Sequence, residues 1–117
     1  MSLQISQFDL LSQAIEFTQQ NHRVISQNIA NVNTPNYQTR ELNFQQFLER
    51  VESTRTGQNG SVRYEVGVAE GLVERADGNN VDLDTELASI KRNDLIFQTL
   101  AQLMGTKLDV MKAAIRG

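Results

Sequence analysis

The sequence predicts a mainly α fold: two long amphipathic terminal helices forming an antiparallel coiled-coil-like pair, with a short helix and a small β-hairpin or extended arm between them. Three observations carry this. Apolar residues recur at alternating spacings of three and four near both ends of the chain, the mark of a helical seam. The only proline, Pro35, directly follows the first of these runs, where it stops a helix. Between the runs the period falls to two around Val62, Tyr64, Val66 and Val68, as in a strand.

The first helix is expected at about residues 6 to 33. Its seam runs Phe8, Leu11, Ile15, Ile25, Ile29 and Val32, with Thr18 and His22 filling the gap in register. Ser6 followed by Asp9 resembles a capping box, and Pro35 pushes Thr34 out of the helical region. A helix of that length spans roughly 40 Å.

Residues 35 to 81 form the middle segment. Phe44, Phe47, Leu48 and Val51 lie at helical spacing behind Asn43, a suitable N-cap, so a short helix is expected over 43 to 53. Gly57 to Gly60 read as a turn before the alternating valines, and Leu72 and Val73 follow Gly71. The stretch DGNNVDLD, residues 77 to 84, is rich in oxygen ligands but fails as a calcium loop. Counted from Asp77, position 6 is Asp82 in place of glycine, and position 12 is Ala88 in place of glutamate. It reads as a turn, with Asp77-Gly78 and Asn79-Asn80 tolerating left-handed backbone, followed by Asp82 as an N-cap.

The last helix is expected over 83 to 116, within an 82–117 segment that forms one structural domain with residues 1–34. Its seam is Leu83, Leu87, Ile90, Asp94, Phe97, Ala101, Met104, Leu108, Met111 and Ile115. Acidic residues at its start and Lys112 and Arg116 at its end complement the helix dipole. If Val32 lies level with Leu83, antiparallel packing sets His22 opposite Asp94, the polar members of the two stripes.

Composition excludes several classes. With 117 residues and a net charge of −3 the chain has no basic footprint for phosphates, so nucleic acid is not an expected partner. No cysteine and a single histidine remove a disulfide frame, a Cys/His zinc site and a thiol nucleophile. His22 reads as a packed, register-setting residue. No G-x-S-x-G, P-loop or G-x-G-x-x-G is present, and neither an enzyme nor a cofactor nor a small-molecule substrate is expected. Asn59-Gly60-Ser61 matches a glycosylation sequon but reads as a turn. Tyr37 and Tyr64 suit either local cover or interface anchoring. The first residues lack a basic and apolar leader pattern, so export through a cleaved signal is not expected.

A middle this small cannot bury both seams, which describes a subunit that completes its core on copies or neighbours. The stretch Asn28-Ile29-Ala30-Asn31 with Thr34-Pro35 and Tyr37 resembles the N-terminal signature of the bacterial flagellar rod and hook proteins. Arg40, Phe44, the D-G-N-x-V-D-L-D run and the ending AIRG are similar to the proximal-rod members of the basal-body rod family. Asn36 stands where that family usually has glycine, and the middle is shorter than usual.

The resemblance implies a structural subunit of the periplasmic rod, exported by the flagellar type III apparatus and packed by its terminal helices. Implied neighbours are other rod subunits and further copies, the ring protein FliF, the junction protein FliE and the export-gate proteins. Within that reading Asn28 and Asn31 lie beside the seam and face outward, as amide donors and acceptors at a subunit junction. A soluble helical adaptor or export chaperone, binding through one exposed seam, is the competing expectation.

Overall fold

A computed structural model describes residues 7–55 and 65–116. Its elements in chain order are α1 (Gln7–Ala30), β1 (Arg40–Leu42), α2 (Phe44–Arg55), β2 (Val66–Val68) and α3 (Leu83–Arg116). The fold is mainly helical, with the two long helices packed together and the short helix and two-stranded sheet set between them in sequence. The Cα extents are 64 × 29 × 16 Å.

Helices α2 and α3 start where their caps predict. Asn43 Oδ1 accepts the Gln46 amide at 3.0 Å, and Asp82 Oδ1 accepts the Thr85 amide at 3.3 Å. The expected Ser6 cap lies outside the described residues, as do the Gly57 to Gly60 turn, Val62, Tyr64 and the sequon. Helix α1 stops at Ala30, three residues before the expected end. Its last turn tightens: the Asn31 amide reaches both Gln27 O and Asn28 O, and the Val32 amide reaches Ile29 O at 3.2 Å.

The helices α1 and α3 run antiparallel. Polar pairs mark the register: Gln7 with Lys107, Thr18 and Asn21 with Asn93, His22 with Asp94, and Asn28 with Glu86. These pairs correct the seam. On α1 the inward line includes Gln7, Leu11, Thr18, Asn21, Ile25 and Asn28, and on α3 it includes Glu86, Ile90, Asn93, Phe97, Met104 and Lys107. Leu11, Ile25, Ile90, Phe97 and Met104 belong to the expected stripe. The alternate positions are displaced by one residue, which turns each helix on its axis. Phe8, Leu83, Leu87, Leu108, Met111 and Ile115 are left exposed, while Ile15, Ile29 and Val32 are half-buried. The cause is polar: an inward Asn28 finds partners for its whole amide and an inward Asn93 both donates and accepts, which outweighs the apolar preference for the other rotation.

A second core joins α2 to α1. Phe17 stacks on Phe47 with centroids 4.7 Å apart and meets Phe44 edge-on at 5.6 Å and 70°. Phe47 is 3% exposed, and burial of a ring of this size contributes about 2–3 kcal/mol.

The sheet differs from a local hairpin. Strand β2 pairs antiparallel with β1, which precedes α2, in the register Arg40↔Val68, Glu41↔Gly67 and Leu42↔Val66. Pairing across an intervening helix leaves no period-two trace in Arg-Glu-Leu, so β1 carried no strand signal in sequence.

Candidate functional site

A helix end exposes carbonyls that need donors. At the end of α1 those donors come from residues more than forty positions away. The Asn79 side chain, fully buried, donates from Nδ2 to Asn31 O and to Thr34 O, each at 2.8 Å. The Arg75 guanidinium donates to Val32 O, reaches Val81 O at 3.4 Å and sits 3.8 Å from Asp77. The loop carrying these residues is folded on itself. Asp77 Oδ1 accepts the Asn79 amide, Asn79 Oδ1 accepts the Val81 amide, and Arg75 and Asn79 pair through their backbones.

Against this loop lies the turn from Thr34 to Tyr37, closed by the Tyr37 amide on Thr34 O at 3.2 Å. Pro35 sets its second residue, and Asn36 takes φ = +64°, the left-handed conformation that a type II turn requires at its third. Asparagine therefore fills the glycine position of the resemblance. Its amide donates to Asp77 O at 2.9 Å. Gly78 has φ = +83°, and a Cβ added there would lie 2.3 Å from Asn36 Oδ1 and 3.3 Å from Asn36 Cα. Two left-handed residues thus pack back to back. Asn79 and Asn80, expected to tolerate left-handed backbone, do not adopt it; they act as buried side chains. Asn80 accepts the Thr39 amide at 2.7 Å and donates to Gln38 Oε1 at 2.8 Å.

Asn28 closes the joint. The outward placement expected for it is overturned, since the residue has 0% exposure. Its Nδ2 donates to Arg40 O at 2.8 Å and to Glu86 Oε1; its Oδ1 accepts from Arg40 N at 3.0 Å and from the Tyr37 hydroxyl at 2.8 Å. Both protons and both lone pairs are used. One amide therefore ties α1 to the turn, to β1 and to α3. Asn31, also expected to face a neighbour, returns its Nδ2 to Gln27 O and accepts from the Thr34 hydroxyl at 3.0 Å. Ile29 and Tyr37 are half-buried, while Ala30, Thr34 and Pro35 are exposed.

Electrostatics follow from burial. Glu86 is pushed above the usual carboxylate range chiefly by burial, opposed by the Asn28 hydrogen bond and reinforced by Asp82 and Glu41. The Tyr37 hydroxyl is raised, first by burial, with Arg40 lowering it and Glu86 raising it. Further along the pair, Asn93 donates to Thr18 O at 2.8 Å and accepts from Asn21 Nδ2 at 2.9 Å. His22 Nδ1 and Asp94 Oδ1 meet at 3.2 Å, as the register argument expected, on a surface about half exposed.

Sequence reasoning singled out one side of this joint. Arg75, Asn79, Asn80, Glu86 and Asn93 were missed as site residues, although the Asn-Asn pair was legible as an oddity in the DGNN stretch. Among the described residues, no group of three or more His, Asp or Glu is placed to hold a metal ion. No described helix is long and apolar enough to cross a membrane. The polar side chains of the joint are spent on holding four segments of chain together.

Known proteins share this chain's features. A family model described as flagella basal body rod protein matches residues 12–38, which contain Asn28 and the turn. The flagellar basal body rod protein FlgB of Aquifex aeolicus is 33% identical over 116 residues, covering 93% of this chain and 92% of its own. FlgB of Bacillus subtilis is 28% identical over 127 residues, covering 100% and 98%. FlgB of Aeromonas hydrophila is 28% identical over 125 residues, covering 94% and 92%.

Proposed function

The chain belongs to the FlgB family of flagellar basal body rod proteins and is a structural subunit of the flagellar rod, and we propose that it builds the helical proximal rod through its terminal helices and transmits torque across the periplasm. One observation carries the reading of how it assembles. The displaced seam leaves Phe8 and Leu10 of α1 and Leu83, Leu87, Leu108 and Met111 of α3 between 36% and 49% exposed, although they sit on the flanks of a packed helix pair. So much apolar helix surface is a surface for other subunits.

In this reading the helix pair is the adhesive part and the joint is the part that keeps its shape. Neighbours are other copies and other rod subunits, with FliF, FliE and the export-gate proteins at the membrane end. The chain reaches the periplasm through the flagellar type III apparatus, and it acts as a structural protein without catalysis.

The test substitutes Leu87→Glu and Leu108→Glu separately in a host lacking the native gene. Basal bodies without a rod, together with an unfolding midpoint of the isolated variant close to that of the parent chain, are expected. Near-normal motility of both variants would remove these flanks from the assembly surface.

A further inference from the structure

Among the described residues the two edges of the sheet differ in their hydrogen bonds, with Arg40 satisfied on the β1 edge and the β2 edge unpaired. The Ala69 amide donates to Thr39 O at 2.8 Å, while the Thr39 amide goes to Asn80, so Thr39 and Ala69 sit in the bonded phase of the ladder with one of its two bonds made. Antiparallel alternation makes Glu41 and Gly67 the next bonded pair, which turns the backbone groups of Arg40, Leu42, Val66 and Val68 outward. On the β1 side, Arg40 N and O are both satisfied by Asn28. On the β2 side, no described residue pairs with the outward N–H and C=O groups of Val66 and Val68.

The β2 edge is protected, among the described residues, only by its shortness and by the flanking Glu65 and Glu70. It has no lysine, no proline and no covering helix among the described residues, and Val66 and Val68 are 49% and 58% exposed. A groove of about 510 Å³ runs from β2 across to Glu41 of β1 and to Asn43 and Gln46 at the start of α2, where Gln46 Oε1 accepts the Glu65 amide at 3.1 Å; it is also lined by Glu65 and Glu70, and no lysine or arginine among the described residues lines it. Gly67, opposite Glu41, contributes no side chain, and a Cβ there would meet only open space.

We propose that the outer edge of β2 accepts an extended segment from another protein, a strand with apolar residues alternating and Lys or Arg at its ends, added antiparallel as a third strand. Main-chain bonds to Val66 and Val68 supply the docking, and the three carboxylates select a cationic partner. A second copy adding through the same edge is disfavoured, since antiparallel pairing of β2 with itself brings Glu65 of one copy near Glu70 of the other. This surface is separate from the helix flanks and does not depend on how those assemble.

The probe is a blocked synthetic peptide, Lys-Val-Thr-Val-Lys, titrated into the isotope-labelled full chain and followed by amide chemical shifts. The expected result is saturable shifts at Val66, Gly67 and Val68, with affinity at least tenfold above that of the same peptide carrying Glu for Lys. Val68→Pro removes an outward donor without removing a bond of the existing ladder; it should weaken binding at least tenfold. Should that variant unfold, Glu65→Lys with Glu70→Lys keeps the backbone intact and should abolish the preference for the cationic peptide. No saturable binding at millimolar peptide overturns the proposal. So do equal binding by a peptide N-methylated at its pairing amides, shifts that spare Val66 and Val68, or dimerisation of the chain through β2.

Discussion

The side-chain amide of Asn28 occupies the place of a third strand beside Arg40. It donates to Arg40 O at 2.8 Å and accepts from Arg40 N at 3.0 Å, the two-point pairing that a neighbouring backbone would make. A helix residue thereby finishes a sheet edge, and the same amide holds Tyr37 and Glu86. Asn28→Ala strands four groups in a site with no exposure, and the cost is expected at about 3 kcal/mol, read as a lowered urea midpoint. A loss under about 1 kcal/mol would mean that Arg40 and Glu86 find other partners.

Stability should depend on pH through Glu86. Its folded-state pKa is raised above the unfolded value, chiefly by burial. Between the two values the native state binds more protons than the unfolded chain, so this residue's contribution falls as pH rises through that window. The penalty is complete above the folded pKa and absent below the ordinary carboxylate value. Glu86→Gln, a neutral mimic that keeps an acceptor for Asn28, is expected to gain on the parent chain at neutral pH, and the difference should close as pH falls. A parallel pair of stability curves would assign the pH dependence to other groups.

Gly78 and Asn36 should be energetically coupled. Gly78→Ala places a Cβ in left-handed backbone at a cost of about 1–2 kcal/mol and drives it against Asn36 Oδ1. Asn36→Gly keeps the positive φ available and removes the obstructing amide. The double variant should recover about 0.5 kcal/mol or more relative to the sum of the singles in a denaturation cycle. Additive effects would show that the loop moves away from the turn.

Two polar contacts of the helix pair should differ sharply in worth. His22 and Asp94 meet on a half-exposed surface, and His22→Ala is expected to change stability by about 0.5 kcal/mol or less. Asn93 is 5% exposed and engages Thr18 and Asn21, so Asn93→Ala should cost about 2 kcal/mol. Denaturation of the two variants side by side checks the order, and a larger loss for His22→Ala would reverse it.

The helices were legible because their signals are local: Asn43 and Asp82 cap the elements they precede, and α3 keeps its period for 34 residues. Pro35 and Asn36 announced the turn for the same reason. The rotation of the helix pair was not legible. Leu11, Ile25, Ile90, Phe97 and Met104 fit two stripes one residue apart, and hydrophobicity favours the stripe with Ile29 and Leu87 over the one with Asn28 and Glu86. Only the partners at Arg40 and Tyr37 make the second stripe favourable, and those meet Asn28 through tertiary structure. Likewise Asn79 looked like a turn former because its two acceptors, Asn31 O and Thr34 O, lie 48 and 45 positions away in the chain.

Among the described residues the joint engages α3 near its start, through Glu86, while α3 runs on to Arg116. Mechanically it is a fulcrum, with the helix pair as a lever. Because α3 runs about 45 Å beyond Glu86, a tilt of about 5° where Asn28 grips Glu86 sweeps the far end by about 4 Å, roughly three-quarters of a helical turn. Small differences in the packing of a few buried amides are therefore magnified into the spacing of whatever surfaces the distal ends meet.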